Sequence, residues 1–579
     1  MFGESMRVLK QVALFLLDIL LSLSTAVVLA ILLTGGGVFH AGSTLISATH
    51  ARNLITIVTL VTAARGYWGR SVPFLSLRRL EFRVLPGRCL KRLVQLRGWL
   101  QSLDQTTARR IVTGILVLSA VIKLANSWFY YGFYSGDDVE IHEMTLAALL
   151  SWDDWQAWNL RCAFYPMAFI YPAQAIFHSL GVREEALLVF SGRTVVVLFS
   201  LLGVVLVYKT AKAIYGSLPV GICAVSLYAA SHLDINFGSS VLPRTVAATF
   251  VLLCVWLLER FPRSWVVVIA AGVALGIGSS IRFSEALFIG CVVLYLVVAR
   301  RFQHALIVGA AAMATSAVVV GVSDLLYWGT PFSSFLNLFE YTLLEGASSR
   351  GYQPFYFYVA TAGSWGNYLI AALVVYSLRA REWKGAMLAL LPIAILSVLP
   401  HKELRYLVPV LPFVCILAGR SFWMLLTELS DDRGSALSMS RRPAVATVLT
   451  VLLVSSLLFE IDGYRFRRYE SAVDAARYVR GQPGAASVGV EQLWRAGGRI
   501  YLWRVPTVAD ISFERSADRE YIRSVLEARD LDYVALNASD VERYSYDELI
   551  RTAGYAELPL ASPREREAYR LYERRPQRE

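Results

Sequence analysis

The chain has 579 residues, of which 56% are hydrophobic and 17% are charged, whereas a typical soluble domain has about 25% charged residues. With a mean hydropathy of +0.50, this composition excludes an ordinary soluble protein and predicts a polytopic membrane protein. The formal net charge of +12 comes without a nucleic-acid-binding signature, so we expect basic cytoplasmic loops and no nucleic-acid partner.

Apolar runs that can cross a bilayer recur along the chain and predict about 11 to 14 membrane helices. The first run is long for a signal peptide, so we interpret it as an uncleaved helix. The apolar run Tyr165–Leu180 contains Pro166 and Pro172 and is interpreted as a partial or in-plane helix. The predicted spans are, in chain order, Val12–Leu33, Leu45–Ala64, Ile111–Phe129, Ala186–Tyr208, Leu218–Ala230, Thr245–Leu258, Ser264–Ser280, Ala286–Ala299, Ala305–Tyr327, Tyr356–Leu378, Ala386–Leu399, Leu407–Leu426 and Ala444–Phe459.

After Asp462 the sequence becomes charged, with short apolar alternations that are typical of a small α/β domain outside the membrane. We therefore predict N-terminal membrane helices with a basic loop at 1–108, a helical transmembrane domain at 109–461 and an extramembrane α/β domain at 462–579. The elements predicted in this last domain are helices at Ala472–Arg480, Arg519–Arg529 and Asp540–Ala553 and strands at Ala486–Val490, Tyr533–Leu536 and Tyr569–Glu573.

Loop charges predict which parts of the chain share one side of the membrane. Basic loops such as Arg65–Arg110 and Arg433–Arg442 are expected to face the cytoplasm. An acidic cluster after residue 136, the loop His401–Tyr406 and the tail after Asp462 then all lie on the opposite side. Two unusual charge clusters on one side predict a functional site there.

The acidic cluster begins with Asp137 and Asp138, directly after the aromatic end of the span Ile111–Phe129. A carboxylate at this level is suited to accept a proton from a hydroxyl nucleophile, and neighbouring carboxylates raise its proton affinity. For the pair alone, a solvated acidic loop that caps a helix is the simpler interpretation. Together with Glu143 the pair also offers ligands to a divalent ion, although no cofactor is firmly predicted.

The loop His401–Tyr406, with sequence HKELRY, lies between two long apolar runs. The compact charge of Lys402 and the planar fork of Arg405 both suit a phosphate, and His401 adds a further donor. Glu403 is placed to orient these cations. Basic residues that merely anchor a loop belong on the cytoplasmic side, so snorkelling explains this external loop poorly.

Other ionisable residues end spans on the same predicted side, and for each of them structural pairing and function are equally good interpretations. They are Arg161, Arg193, Asp234, Arg244, Arg282 and Glu285.

These motifs carry a resemblance to a known family. The HKELRY loop, followed by prolines as far as Pro412, resembles the late His-Lys-Glu-x-Arg-Phe/Tyr element of glycosyltransferase family 22, and the acidic run Ser135–Asp138 resembles its His-Pro-Asp-Glu-like element with Ser-Gly in place of His-Pro. The segments around Arg161, Arg244 and Arg282 resemble other motifs of this family more weakly. Over roughly residues 111–426 the chain is thus similar to the GT-C glycosyltransferases, most of all to the mannosyltransferases of GPI-anchor and N-glycan assembly and their bacterial relatives.

The resemblance implies a GT-C fold and an inverting transfer of mannose or another hexose or pentose from a polyprenyl-phosphate-linked donor to a hydroxyl of a glycan or glycolipid. It implies Asp137 or Asp138 as the catalytic base. It also implies a bacterial inner-membrane protein whose site and C-terminal domain face the periplasm or exterior. The implied phosphate-binding residues are His401, Lys402, Arg405, Arg244 and Arg282, and the implied acceptor-binding or supporting residues are Glu143, Arg161, Glu403 and Tyr406.

Two other functions remain open on the sequence. A transporter or flippase for lipid-linked saccharides predicts repeated halves and charged residues at mid-span, and no internal repeat is found. A catalytically inactive GT-C scaffold is compatible with the altered His-Pro.

Overall fold

The computed structural model describes residues 37–41, 44–48, 84–129, 132–152, 155–341, 352–365, 367–379, 383–430, 442–463, 469–511, 523–524, 526, 531–559 and 568–575. The predicted span Val12–Leu33 and nearly all of the predicted helix Arg519–Arg529 lie outside these residues. The first residues of the predicted span Leu45–Ala64 belong instead to a hairpin, in which β1 (Gly37–Ala41) pairs antiparallel with β2 (Thr44–Ala48).

The transmembrane part is a bundle of helices joined mostly by short loops. Its helices are α1 (Val84–Gln101), α2 (Gln105–Phe129), α3 (Gly136–Leu150), α4 (Tyr171–Ser179), α5 (Glu185–Tyr215), α6 (Leu218–Ala229), α7 (His232–Phe237), α8 (Arg244–Arg260), α9 (Trp265–Ile281), α10 (Leu287–Val298), α11 (Phe302–Trp328), α12 (Ser333–Phe339), α13 (Phe357–Ala360), α14 (Ala362–Trp365), α15 (Asn367–Arg379), α16 (Trp383–Val398), α17 (Leu411–Ser430) and α18 (Arg442–Gly463).

Among the described residues, four helices are long and apolar enough to cross a membrane, namely α2, α5, α11 and α17, and six shorter helices are also apolar. Helix α11 exposes large side chains such as Leu306 at 74% and Leu326 at 82%. Exposed aliphatic side chains of this kind suit contact with lipid, because a hydrocarbon surround imposes no hydrophobic penalty. The predicted total of 11 to 14 spans stays a prediction.

Close helix packing in the bundle depends on small residues. Helix α9 packs against α11, and a Cβ on Gly276 would lie 2.5 Å from the carbonyl oxygen of Ala312 and 2.7 Å from Cβ of Thr315. One turn earlier, a Cβ on Gly272 would lie 2.7 Å from Cβ of Ala311. The two glycines therefore let the backbones approach as in other small-xxx-small membrane pairs.

A buried ion pair ties the helices α2, α5 and α7 together. The ammonium of Lys123 lies 2.6 Å from Oδ2 of Asp234, and both side chains are fully buried. Lys123 also donates to Oγ of Ser200 at 2.6 Å, and that hydroxyl donates to Oδ1 of Asp234 at 2.9 Å. The charges of Lys123 and Asp234 are thus matched to each other, as buried ionisable groups require.

The predicted single span Tyr356–Leu378 is wrong, because the structure divides it into α13, α14 and α15. Asn367 adopts a positive φ of 46° at the start of α15, and its Oδ1 accepts the N–H of Ile370 at 3.0 Å. Its Nδ2 donates to Oε1 of Glu460 in α18 at 2.7 Å. A capping asparagine that also bonds a buried carboxylate starts a new helix where hydropathy alone indicates continuity.

The proline-containing run at 165–180 forms a five-residue π-helical turn, Pro166–Ile170, followed by the nine-residue helix α4. These 14 residues would rise only about 21 Å as a helix, short of the roughly 30 Å hydrocarbon core. The segment is therefore consistent with the predicted partial helix.

The C-terminal region forms a five-stranded mixed sheet in the order β4-β3-β5-β7-β6 with helices beside it. Strand β3 runs parallel to β4 and β5, whereas β7 runs antiparallel to β5 and β6. The elements are α19 (Glu470–Gly481), β3 (Ser487–Val490), β4 (Thr507–Asp510), β5 (Tyr533–Asn537), α20 (Ala538–Tyr544), α21 (Asp547–Thr552), β6 (Tyr555–Leu558) and β7 (Tyr569–Arg574).

Sequence patterns found three of these strands and α19 but missed β4 and β6. The predicted helix Asp540–Ala553 is divided at Ser545, which has a positive φ of 53°. Strand β7 is an interior strand because β6 covers its outer edge. The predicted bounds of the three parts of the chain stay a prediction.

The C-terminal domain docks on the end of the helical bundle that carries α3. Glu185 at the start of α5 accepts from Nη1 of Arg480 at 2.6 Å and from Nε1 of Trp503 at 2.8 Å. Phe133 is fully buried in a core that also contains Val473 and Tyr501 of the domain. The domain and the acidic cluster therefore share one side.

Candidate active site

Asp137 lies in the first turn of α3, where the N-terminal partial charge of the helix favours a carboxylate. Its Oδ1 accepts a hydrogen bond from Nη2 of Arg161, and its Oδ2 accepts one from Nη1 of Arg405 at 2.9 Å. The Nη1 atom of Arg282 lies 3.9 Å from the same Oδ2. Three guanidinium groups from distant parts of the chain thus converge on one carboxylate.

The wider arrangement, here called the arginine–carboxylate cluster, balances four cations with four anions. Its members are Arg161, Arg244, Arg282, Arg405, Asp137, Glu140, Glu285 and Glu403. The side chain of Asp137 keeps 14% of its surface exposed, so the cluster is shielded but open to a ligand.

Burial by itself would raise the pKa of Asp137, but the positive charges of Arg161, Arg405 and Arg282 outweigh it and hold the pKa well below its usual range. Opposite charges within hydrogen-bond distance favour the ionised form of a carboxyl group. Asp137 is therefore a carboxylate at neutral pH, ready to accept a proton once its arginine partners are drawn elsewhere.

Arg282 is the least satisfied cation of the cluster. It follows α9 directly, and within the described part of the chain its Nε has no hydrogen-bond partner. Burial, followed by the positive charge of Arg244, lowers the pKa of Arg282. A guanidinium that is short of both counter-charge and acceptors is suited to bind an added anion.

Arg244 and Tyr406 are the buried supporting residues of the cluster. Nη1 of Arg244 lies 3.0 Å from Oε1 of Glu285, and both side chains are only 3% exposed. The guanidinium of Arg244 also lies 4.4 Å from the ring centroid of Tyr406, a cation–π distance. These two residues support the site rather than line its opening.

The loop His401–Tyr406 brings only part of its charge to the cluster. Arg405 donates Nη2 to Oε1 of Glu403 at 2.9 Å and so reaches both Glu403 and Asp137. Nε2 of His401 lies 2.9 Å from the same Glu403 oxygen. Glu403 thus orients Arg405 and His401, the kind of role predicted from the sequence.

The ammonium of Lys402 points away from Asp137. It donates to the carbonyl oxygens of Leu399 and, at 2.8 Å, Gln353, and the residue is only 4% exposed. These bonds cap the end of α16 and fasten the segment that precedes α13. The sequence grouped Lys402 with Arg405, but the two side chains bond different partners, Lys402 the backbone carbonyls and Arg405 the carboxylates of Asp137 and Glu403.

Asp138 is fully buried, unlike Asp137. Its Oδ2 accepts the N–H of Tyr134 at 2.9 Å and its Oδ1 accepts the N–H of Val241 at 3.0 Å. The second carboxylate of the acidic pair therefore joins the start of α3 to the loop before α8. Such an arrangement holds the backbone that presents Asp137.

Glu143 lies on the C-terminal-domain side of α3 and does not reach the cluster. Its Oε1 accepts the N–H of Arg499 at 2.6 Å, and its Oε2 accepts Nε1 of Trp155 at 3.3 Å. A Cβ on Gly498, which has a positive φ of 59°, would lie 2.3 Å from Oε1 of Glu143. Burial raises the pKa of Glu143 to about 7, so this contact responds to pH.

Two loops pack together beside the cluster. Nε1 of Trp328 donates to the carbonyl oxygen of Arg161 at 3.1 Å, and the rings of Trp158 and Tyr341 meet edge to face at 5.5 Å between centroids. These contacts hold the segment that carries Arg161 beside the cluster.

The cluster holds two further carboxylates, Glu140 and Glu285; for Glu285 the sequence left structural pairing and function equally open. Glu140 bonds Nε of Arg161 at 2.5 Å, and Glu285 bonds Arg244. A positional signal existed for Glu140, because it lies three residues after Asp137 on α3, a spacing that brings helical side chains together.

Within the described residues, no group of three or more His, Cys, Asp and Glu side chains has the arrangement of a metal site. Asp138 and Glu143, two of the three candidate ligands, instead accept backbone N–H groups.

Two solved structures share the fold of this chain. ArnT from Cupriavidus metallidurans bound to undecaprenyl phosphate aligns with a TM-score of 0.53 at 13% identity, covering 80% of this chain and 97% of that one. The Archaeoglobus fulgidus oligosaccharyltransferase in the apo form aligns with a TM-score of 0.50 at 13% identity, covering 77% of this chain and 73% of that one. At such identities the likeness concerns the fold, and it confirms the predicted GT-C fold.

Sequence comparison is more specific. The chain is 29% identical over 267 residues to the alpha-1,2-mannosyltransferase ALG9 of Arabidopsis thaliana. That alignment covers 42% of this chain and 45% of the relative, so the chain spans just under half the length of the curated protein it matches. The family model of the Alg9-like mannosyltransferases matches residues 138–476, which is more than half of the chain. The chain therefore belongs to the Alg9-like mannosyltransferase family.

Proposed function

We propose that this protein transfers a sugar, mannose in the first place, from a polyprenyl-phosphate-linked donor to a hydroxyl group of a glycan or glycolipid, with inversion at the anomeric carbon. The observation that carries this proposal is the convergence of Arg161, Arg405 and Arg282 on the carboxylate of Asp137. Membership in a mannosyltransferase family supports mannose. The similar fold of an ArnT structure that holds undecaprenyl phosphate supports a polyprenyl phosphate.

In the proposed reaction Asp137 accepts the proton of the acceptor hydroxyl as the oxygen forms its bond to the anomeric carbon. The bond from that carbon to the phosphate oxygen breaks on the opposite face, and the electron pair leaves with the lipid phosphate. A phosphate leaves without protonation, so one carboxylate is enough. Asp137 is better placed for this role than Asp138, which is fully buried and accepts two backbone N–H groups.

Charge in the cluster is conserved during such a reaction. As Asp137 takes up a proton it loses its negative charge, while the leaving phosphate gains one. The guanidinium groups of Arg405 and Arg282 then pass from the carboxylate to the phosphate as its charge grows. Preorganised donors that meet developing charge are usually the largest contribution to catalysis.

The remaining predicted residues take supporting roles in this proposal. Glu403 orients Arg405 and His401, and Arg244 with Tyr406 braces the cluster. Lys402 fixes the loop through backbone carbonyls, so its effect on the donor phosphate is indirect.

We place the site and the C-terminal domain on the non-cytoplasmic side, which in a bacterium is the periplasmic face of the inner membrane. The basic loops at the other ends of the spans support this orientation. We also retain the division of the chain at residues 108 and 461. The comparisons do not favour a transporter or an inactive scaffold.

The test uses the full-length protein in lipid nanodiscs with polyprenyl-phosphate mannose and parallel donors that carry another hexose or a pentose. Release of polyprenyl phosphate is measured with and without a glycan or glycolipid acceptor. We expect Asp137→Asn to lower turnover by about 10²- to 10⁴-fold, the usual contribution of a general base.

Asp547→Asn is the matched control, because this carboxylate also accepts from an arginine, Arg570, but in the C-terminal domain. It should leave turnover unchanged. Near-normal turnover of Asp137→Asn would remove Asp137 from the mechanism, and no release of lipid phosphate from any donor would refute the proposed function.

A further inference from the structure

A second charged site lies at the other end of the bundle from Asp137. It is a cleft of about 840 Å³ between α2, α5 and α8. Helix α8 begins with Arg244 in the arginine–carboxylate cluster and ends at Arg260 in this cleft. Sixteen residues of helix correspond to about 24 Å, so the two sites lie near opposite membrane surfaces.

The walls of the cleft are strongly basic. Arg109, Lys209, Lys212 and Arg260 line it, and among the described residues the single lining carboxylate is Glu259. That carboxylate is already neutralised from outside the cleft, since Nη1 of Arg301 lies 2.9 Å and Nζ of Lys384 lies 3.2 Å from its oxygens. The positive charge of the cleft is therefore largely uncompensated.

The four cations have no acidic partners of their own in the part of the chain that the structure describes. Nζ of Lys212 donates to the neutral amide oxygen of Gln105 at 2.6 Å. Nζ of Lys209 lies 5.0 Å from the ring centroid of Trp256. Bonds to an amide and to an aromatic face hold these ammonium groups in position without cancelling their charge.

The cleft is polar at one end and apolar at the other. The cations are near the helix ends, whereas Val112 and Leu116 of α2 and Val205 of α5 line the part closer to the middle of the bundle. The large side chains Val117, Leu118 and Val121 of α2 are exposed on the same helix. A ligand that fits has an anionic head and an apolar chain.

We propose that this basic cleft binds the phosphate group of an anionic phospholipid from the leaflet opposite to the arginine–carboxylate cluster. Basic pockets between membrane helices recognise acidic head groups in this way. The proposal is independent of the transferase function, because none of the cleft residues belongs to the arginine–carboxylate cluster.

The test measures binding of short-chain phosphatidylglycerol to the full-length protein in detergent, with phosphatidylcholine and inorganic phosphate as parallel ligands. We expect phosphatidylglycerol to bind at least tenfold more tightly than phosphatidylcholine. Lys209→Gln combined with Lys212→Gln should weaken it at least tenfold, and the arginine pair Lys209→Arg with Lys212→Arg should restore binding.

Arg110→Gln is the matched control. Arg110 is exposed and adjacent to Arg109 on α2, but it does not line the cleft. A second readout is the quenching of tryptophan fluorescence by a brominated phosphatidylglycerol. Because Trp256 lines the cleft and is one of 14 tryptophans, the quenching should be smaller in Trp256→Phe than in the wild type. The difference between the two proteins reports occupancy of the cleft.

Binding of phosphatidylglycerol without competition by inorganic phosphate supports the leaflet as the source of the ligand. Competition by inorganic phosphate at millimolar concentration would show a phosphate site supplied from solution and would overturn the phospholipid as the ligand. Equal binding of phosphatidylcholine, equal weakening by Arg110→Gln, or unchanged quenching in Trp256→Phe would each overturn the proposal.

Discussion

The carboxylate of Asp137 accepts hydrogen bonds from two arginines and lies within ion-pair distance of a third. The adjacent Asp138 accepts two backbone N–H groups and has no exposed surface. Two chemically identical neighbours therefore have different environments, one facing cations and one facing backbone. The same contrast separates Arg405 from Lys402 in the loop His401–Tyr406.

This contrast predicts different effects of two substitutions in that loop. Lys402→Met keeps most of the side-chain volume but leaves the carbonyls of Gln353 and Leu399 without their donor. We expect it to lower the free energy of unfolding by about 1 to 3 kcal/mol and to change the KM for the donor little. Arg405→Lys keeps the charge but loses the fork, so we expect higher donor KM and kcat lower by about tenfold or more.

Thermal unfolding and steady-state kinetics of both variants provide the measurement. If Lys402→Met raised the donor KM strongly while its Tm stayed at the wild-type value, Lys402 would contact the donor after all.

Much of the site at this scale was predictable. Loop charges assigned the acidic cluster and the HKELRY loop to one side, and the structure joins Asp137 to Arg405 at 2.9 Å. Which cation points inward was not predictable, because Lys402 precedes and Arg405 lies within the short 3-10 turn Leu404–Leu407, so their side chains project in different directions. The third cation near Asp137 is Arg282 and not Lys402. The position of Arg282 depends on where α9 ends.

At the scale of elements, the arrangement of the site depends on how closely α9 packs on α11, since Arg282 follows the last residue of α9. Gly276 allows this approach, as its missing side chain would meet the backbone of Ala312. Gly290 in the neighbouring helix α10 is exposed, and a Cβ there would meet nothing within 4 Å. The two glycines form a natural comparison.

We expect Gly276→Leu to displace α9, because overpacking typically costs about 1 to 3 kcal/mol, and to lower turnover through Arg282. Gly290→Leu should leave both stability and turnover close to wild type. Thermal unfolding in detergent together with the transfer assay distinguishes them, and equal losses in both variants would contradict the packing argument.

Hydropathy predicted most helices of the bundle but not their interruptions. The run from Tyr356 to Leu378 is largely apolar and carries no charge, yet Asn367 begins a new helix because its amide bonds Glu460, 93 residues later in the chain. Long-range polar contacts of this kind leave no periodic signal in the sequence.

For the whole molecule, the C-terminal domain and the bundle share a core around Phe133 and a set of polar contacts. Glu143 accepts an N–H from Arg499, and Glu185 pairs with Arg480. The domain therefore holds the same helix, α3, that presents Asp137.

The docking should weaken as pH rises. Burial raises the pKa of Glu143 from its ordinary value of 4.5 to about 7, so the folded protein binds one more proton than the unfolded chain between these values. That stabilisation is complete below about pH 4.5 and is lost as pH rises through 7. Its full size is of the order of 3 kcal/mol, since each pKa unit corresponds to about 1.4 kcal/mol.

Glu143→Gln keeps an acceptor for Arg499 and removes the titration. We expect its Tm to vary less between pH 5 and 8 than that of the wild type. In terms of the free energy of unfolding, the difference should approach the stabilisation attributed above to Glu143. Matching pH profiles for the two proteins would show that Glu143 does not control the docking.

The ion pair of Lys123 with Asp234 has a consequence for biogenesis. The two residues are 111 positions apart, so a ribosome delivers α2 to the translocon long before α7 exists. An unneutralised lysine costs about 2 to 3 kcal/mol or more on insertion, and we therefore expect α2 to be held loosely until the later helix arrives. Nascent chains truncated before and after residue 237 should differ in the resistance of α2 to alkaline extraction, and equal resistance would argue against such delayed anchoring.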